Sequence, residues 1–570
     1  MSDLQLKSAS RKSRTVPTRV NETNSGATAV ISAVALLFAC FFPAAGAAPG
    51  SSASSSGKTS VRRNTGTNTG AGLFTHLKLP PNTPNPQNIQ QFRLNSNGLQ
   101  VVLCERHAAP IVSTMIVYHV GSRNEAVGYT GATHFLEHMM FKGAKKFDPE
   151  HRNGIDDVLR PLGGYNNATT SFDRTNYFEI VPSKDLNLCL EIEADRMRNL
   201  ALRQADRDAE MTVVRNELEG SQDRATDILQ DNIFATAFRE HPYHHPTLGW
   251  RSDVEGVPLA RLRKFYDEFY WPNNATLILI GDFDTRAVLP MIAGNFGKIH
   301  RSPAPFPKIY TQEPPQEGER RFVVQRGSEQ PKLMVAFHVP NATSKEAYTL
   351  DTIEYLLGNE GNKSSILYKK LIDTGLASDV WAYGYSLKDP GLFVVYAAPA
   401  PKVPLEKLEA KIIEIVEGLG KEPVTAEQLD RAKQSILKHS RLSCSDPAGL
   451  ADLLAEAIAA ADVNWLLNYP ANLRKVTAAD VERVAQKYFT ATNRSVGYYR
   501  PKEAPRTEET VADQSENAAT SETSETSETN PPPAPAPASS VEHKSESPLK
   551  ISKALGSGKF SSKTRRVIFG

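Results

Sequence analysis

The side chains best placed to do chemistry are His134, Glu137 and His138, in the run His134-Phe-Leu-Glu137-His138. On a helix, positions i and i+4 share a face, so the two imidazoles can hold one metal ion between them. Glu137 is three residues from His134 and next to His138. A carboxylate there can lean over the metal and take a proton from a bound water. The order His-x-x-Glu-His reverses the commoner His-Glu-x-x-His zinc helix. A catalytic zinc takes three protein ligands and keeps one position for water, so a third ligand must come from elsewhere. The candidates are Glu210 and Glu217, seven residues apart and therefore on one helix face. One can bind the metal while the other supports a ligand. That spacing also suits two solvent-facing glutamates on a charged helix. His241, His244 and His245 form a rival cluster, but Pro242 and Pro246 break the helix that would align them, so a structured loop is expected there.

These residues need elements to hold them. A β-hairpin is expected across 92–103, turning at 96–98, with a further strand over 112–120. The motif helix follows Gly131. A strand over 175–181, a helix over 184–202 and one long helical region over 204–238 come next. The first half closes with a helix over 262–270 and a buried strand over 275–280. A proline-rich connector spans 301–319. Beyond it, strands are expected over 322–325, 332–338 and 392–398, and helices over 344–357, 364–374, 405–419, 426–439 and 478–488. The halves end alike: Phe269-Tyr-Trp-Pro-Asn-Asn-Ala-Thr-Leu277 can be laid over Tyr488-Phe-Thr-Ala-Thr-Asn-Arg-Ser-Val496. Each has an aromatic pair, an asparagine and an apolar strand, which points to two related α+β domains. Only the first carries the His-x-x-Glu-His run.

With 570 residues the chain can bury more than one core. A formal charge of +2 gives no reason to expect nucleic acid as a partner. Four cysteines make no disulfide framework, and Cys104 and Cys189 lie in apolar runs that suit buried thiols. The N-terminus reads as an export signal over 1–48: basic residues precede an apolar stretch at 27–42, and small residues follow. Export to the periplasm or cell envelope of a bacterium is therefore expected. Membrane contact is expected only through that signal as an anchor or a lipid on Cys40. A flexible linker is expected over 49–85. The two domains then occupy 86–300 and 320–501, and a disordered Ser/Glu/Thr- and Pro-rich tail occupies 502–570.

With these motifs in order, residues 90–500 closely resemble the M16 (pitrilysin-like, inverzincin) metallopeptidases, in particular the two-domain bacterial members related to mitochondrial processing peptidase. The resemblance rests on His134–His138 with the following Met-Met-Phe-Lys-Gly, and on Gly163-Gly-Tyr-Asn-Asn-Ala-Thr-Thr170 with Asp173, Thr175 and Tyr177. It also rests on the Glu210/Glu217 pair and on Tyr270-Trp-Pro-Asn-Asn-Ala275 through Gly281-Asp282. It implies one Zn²⁺ per chain on His134, His138 and Glu217, Glu137 as general base, and Glu210 as support to a ligand. It implies that the edge strand at Asn167-Ala168 receives an extended peptide by β-augmentation. The implied function is zinc-dependent endoproteolysis of oligopeptides or unfolded segments; a non-catalytic assembly subunit of the same family is the alternative. The family completes its site with an Arg and a Tyr, seven residues apart, from a second domain. The matching positions here are Leu371 and Ser378, so a homologous non-catalytic subunit or a second copy of the chain is an expected partner.

Overall fold

The computed structural model describes residues 72–359 and 361–502; the expected signal, most of the expected linker and all but the first residue of the expected tail lie outside the described residues. Among the described residues no helix is long and apolar enough to cross a membrane.

The first half forms a seven-stranded sheet from β1 (Phe74–His76), β2 (Gln90–Leu94), β3 (Gln100–Glu105), β4 (Ile111–Tyr118), β5 (Tyr165–Thr170), β6 (Thr175–Pro182) and β7 (Ala275–Gly281). The second forms a five-stranded sheet from β8 (Arg320–Gln325), β9 (Lys332–Val339), β10 (Ala377–Gly384), β11 (Gly391–Pro399) and β12 (Arg494–Arg500). The first half carries helices α1 (Ala132–Met139), α2 (Ile155–Leu159), α3 (Leu186–Asn199), α4 (Gln204–Gln222), α5 (Ala225–Ala237), α6 (Arg251–Gly256), α7 (Leu259–Phe269) and α8 (Thr285–Phe296). The second carries α9 (Ala347–Leu357), α10 (Leu405–Gly418), α11 (Ala426–Ser443), α12 (Pro447–Ala460), α13 (Val463–Lys475) and α14 (Ala478–Tyr488).

The two sheets share one topology. Their orders are β1-β2-β3-β7-β4-β6-β5 and β10-β11-β9-β12-β8. Read from the other edge, the second is β8-β12-β9-β11-β10 and matches β3-β7-β4-β6-β5 strand for strand. The one parallel pair is equivalent in both, β3 with β7 and β8 with β12; the other equivalent pairs are antiparallel. The short repeat seen in the sequence falls where a helix passes through a single 3-10 turn into the strand lying inside each sheet, α7 to β7 and α14 to β12.

Strand periodicity explains why the central strands read as unbroken apolar runs. In β7 and β4, Leu277, Leu279, Val112 and Ile116 face one core, while Ile278, Ile280, Met115 and Val117 face another. The second core is roofed by α12 and α13, which come from the other half of the chain. The exchange is reciprocal. One face of the second sheet (Leu333, Val335, Phe337, Val395) packs under that half's own α9, α10 and α14. The opposite face (Met334, Ala336, Leu392, Val394, Tyr396) packs under α5 from the first half. The described residues accordingly fall in one compact unit.

Several expectations change. The linker expected over 49–85 includes β1, which pairs with β2 through Phe74↔Leu94 to His76↔Phe92. Three residues are too few for an alternating pattern to be read. The long helical region expected over 204–238 consists of two helices, broken where Arg224 adopts extended backbone. The helix expected over 364–374 is shorter, helical from 366 to 372, with its last five residues, Tyr368–Ile372, in a π turn. Strand β10 and helices α2, α6, α8, α12 and α13 were not anticipated.

Candidate metal centre

Helix α1 starts under tight constraint. Gly131 precedes it with φ +82°, and a Cβ there would lie 2.5 Å from the Leu248 carbonyl oxygen, so only glycine fits. The Glu125 carboxylate accepts the backbone N–H groups of Gly131 and Thr133, each at 2.7 Å, which satisfies donors at the start of the helix. Burial pushes the Glu125 carboxyl up to about 8 against the pull of these donors.

The start of α1 fixes where His134 and His138 sit. Their rings lie edge to face, 4.7 Å between centroids, and both are buried. Helix α4 packs on α1 and brings in the third donor. Glu217 Oε2 lies 3.6 Å from His134 Nε2 and 3.4 Å from His138 Nε2. One donor atom from each of His134, His138 and Glu217 falls within 4.8 Å of the others. Two turns earlier on α4, Glu210 accepts a hydrogen bond from His138 Nδ1 at 2.9 Å and pairs with Lys142. That bond orients the ring so that Nε2 faces Glu217 and is the nitrogen left to ligate a metal once its proton is lost. Two imidazole nitrogens and one carboxylate, with one imidazole fixed from behind, form a donor set that fits Zn²⁺.

The electrostatics of the two imidazoles differ. Burial holds His134 down at about 4, with His138 adding to the effect. Burial also pulls His138 down, but hydrogen bonds to Glu210 and Glu217 outweigh it and set its pKa at about 9. A metal ion at the centre must therefore displace a proton from His138. Glu210, though buried, is lowered by His138 and Lys142 and stays ionised. Glu137 is raised to about 7, mainly by burial, which leaves it able to hold or release a proton near neutrality. Its Oε2 accepts the hydroxyl hydrogen of Thr170.

Thr170 ends β5, the edge of the seven-stranded sheet, paired with β6 alone. Asn167 and Ala168 lie in the same strand, and the Asn167 side-chain oxygen accepts the Ala168 N–H at 2.9 Å. The rival histidines lie apart from the centre: His241 Nε2 contacts Asp389 at 3.1 Å, His244 stacks on Trp250, and His245 Nδ1 faces the Pro246 carbonyl. Leu371 is a core side chain, and the Ser378 hydroxyl donates to the Pro399 carbonyl at 3.2 Å, so those positions present neither guanidinium nor phenol. The sequence reading assigned no role to Thr170, Lys142 or Glu125. Lys142 lies in the run that follows His138 and Thr170 closes the run 163–170; Glu125 belongs to no pattern.

Two family models match the chain: Insulinase (Peptidase family M16) over residues 100–250, and Peptidase M16 inactive domain over residues 256–436. A zinc protease PqqE of Helicobacter pylori is 31% identical over 410 residues, covering 71% of this chain and 91% of that protein. A mitochondrial-processing peptidase subunit beta of Arabidopsis thaliana is 26% identical over 406 residues, covering 69% and 75%. The crystal structure of a protease from Helicobacter pylori superposes with a TM-score of 0.69 at 29% identity, covering 73% of this chain and all of that one.

Proposed function

Because this chain belongs to the M16 peptidase family, we propose that it is a zinc-dependent endopeptidase acting on oligopeptides or unfolded polypeptide segments. The observation that carries the reading is the convergence of His134, His138 and Glu217 with Glu137 on the same helix as the two imidazoles. His134, His138 and Glu217 would hold the zinc ion, which would supply Lewis acidity towards a water and the scissile carbonyl. Glu137 takes the proton of the attacking water and returns it to the leaving amine. Thr170 holds one oxygen of Glu137, which leaves the other free for that exchange. Glu210 keeps His138 in the ligating tautomer. The open edge of β5 at Asn167 and Ala168 pairs with substrate backbone, which selects extended chains over folded ones.

The second half presents no Arg/Tyr pair at Leu371 and Ser378. We therefore propose that a homologous non-catalytic subunit, or a second copy of this chain, completes the site. The similarity to a protein named as a peptidase subunit supports this reading. An exported location, in the periplasm or envelope of a bacterium, rests on the sequence of residues 1–48.

The test is hydrolysis of a quenched fluorescent peptide library by the purified chain, with zinc, with a chelator, and as Glu137→Gln. Cleavage abolished by the chelator and by the substitution supports the peptidase reading. Bound zinc without cleavage points to the missing subunit. Neither zinc nor cleavage replaces the reading with a structural subunit.

A further inference from the structure

The turn that follows Thr170 is held from the second half of the chain. At Asp173, one carboxylate oxygen accepts the backbone N–H of Lys388 at 3.0 Å. At Arg174, the guanidinium reaches α12, where Nε donates to Glu456 Oε1 at 2.8 Å and Nη2 donates to the same oxygen. The remaining nitrogen, Nη1, turns to the edge strand. It donates to Thr169 Oγ1 at 2.6 Å, to the Thr169 carbonyl at 3.3 Å and to Asn176 Oδ1 at 2.7 Å. Thr169 and Asn176 are opposite each other in the β5/β6 register, one step before the Thr170↔Thr175 pair. Arg174 thus holds the Thr169–Asn176 rung, next to last in the edge strand, and Thr170, on the final rung, holds Glu137.

We infer that Glu456, contributed by the second half, is a positioning residue for the metal centre: through Arg174 it fixes the end of β5 and with it the Thr170–Glu137 hydrogen bond. This rests on the peptidase reading above. The physical case is geometric. Both side chains of the pair are largely buried, at 10% and 12% exposure, so the contact is neither solvated nor free to wander. A planar guanidinium bridging a carboxylate on one side and a strand on the other transmits position, because its five donors are fixed in one plane. Residues matched by the inactive-domain model extend only to 436, so α12 lies beyond that model as well as outside the first half.

The experiment compares Glu456→Gln, Arg174→Gln, the double variant and Glu456→Asp in the full chain. Each is read for kcat and KM on a fluorescent peptide, for melting temperature, and for hydrogen exchange of the 165–170 segment. Glu456→Gln is expected to lower kcat about tenfold, since small misplacement of a catalytic group is costly. Arg174→Gln should lose a similar amount and the double variant little more, because the two act as one unit. Glu456→Asp should recover part of kcat, and exchange at 165–170 should rise in both Gln variants. A purely structural contact would lower the melting temperature and leave the kcat of the folded enzyme unchanged, which would overturn the inference. So would additive losses in the double variant, or unchanged exchange at 165–170. If the wild-type chain cleaves nothing, bound zinc points to the missing subunit, and absent zinc ends the peptidase reading. Exchange alone then decides whether Glu456 sets the strand.

Discussion

Helix α1, between β4 and β5, carries His134, Glu137 and His138; helix α9, between the equivalent strands β9 and β10, carries Asp351, Glu354 and Tyr355 at the same spacing. Around α1 the carboxylates and imidazoles face one another and a third donor arrives from α4. Around α9 the equivalent neighbour is α11, and it offers Leu429, Ala432, Ile436 and Leu437 to the cores instead of glutamates. Glu354 is spent on the backbone N–H of Gly384 at 2.9 Å, and Asp351 accepts the Tyr469 hydroxyl. One scaffold thus serves two ends. Where imidazoles are present the polar groups converge on a shared point; where they are absent each carboxylate is satisfied separately and the helix becomes part of the packing.

The sharpest way to test that contrast is to remove the proposed base. Glu137→Gln should lower kcat by roughly 10³-fold while leaving one zinc per chain, measured by peptide hydrolysis and metal analysis. Loss of zinc together with activity would make Glu137 part of the metal's own cage and remove the distinction between base and ligand.

Next in size is the exchange of helices. Leu454 on α12 is fully buried in the core it shares with β4 and β7. Leu454→Ala should cost about 2–5 kcal/mol in denaturant unfolding. Hydrogen exchange should quicken in strands of the first sheet as well as in the second half. Quickening confined to the second half would mean that the halves are energetically separate.

Glu210→Gln should weaken zinc binding by about 10–100-fold, measured by competition with a chromogenic chelator. An unchanged affinity would show that the hydrogen bond to His138 does not contribute to holding metal.

A smaller effect belongs to the second half. Burial pushes Asp351 up to about 7 from 3.8. The unfolded chain gives up this proton from about pH 4, whereas the folded chain keeps it to about pH 7. The stability tied to the proton is therefore complete below pH 3.8 and lost as the pH rises through 7. Asp351→Asn should gain stability relative to wild type across that window, seen as a melting-temperature difference that grows with pH and then levels. A constant difference would place Asp351 in water.

Much of the scaffold was readable from the chain. Alternation and apolar runs marked the hairpin and β4, β7, β9 and β11, because strands buried on both faces carry long stretches of branched residues. The repeat at 269–277 and 488–496 marked the two related halves, because a helix, a turn and an inner strand need similar residues wherever they recur. Spacing put His134, Glu137 and His138 on a single helix. The metal-centre geometry was less accessible. The rotation of α4 on α1 decides that Glu217 faces the two Nε2 atoms and Glu210 the far side of His138; both glutamates lie on one face by spacing, so the sequence pattern could not separate them. Strand β10 went unread because its first half is polar and exposed at Ser378 and Asp379, as suits an edge, and breaks the apolar run.

What the sequence determined by itself was local: which residues are helical or extended, which faces are apolar, and that two imidazoles and a carboxylate sit within one turn or so of each other. Those properties follow from periodicity, which is written in the order of residues. Tertiary structure alone decided that α12 roofs the first sheet and α5 the second, and that Glu456 meets Arg174 across 282 residues of chain. An amphipathic helix declares that it has a face to bury, but which sheet buries it depends on the whole chain closing into one packed unit.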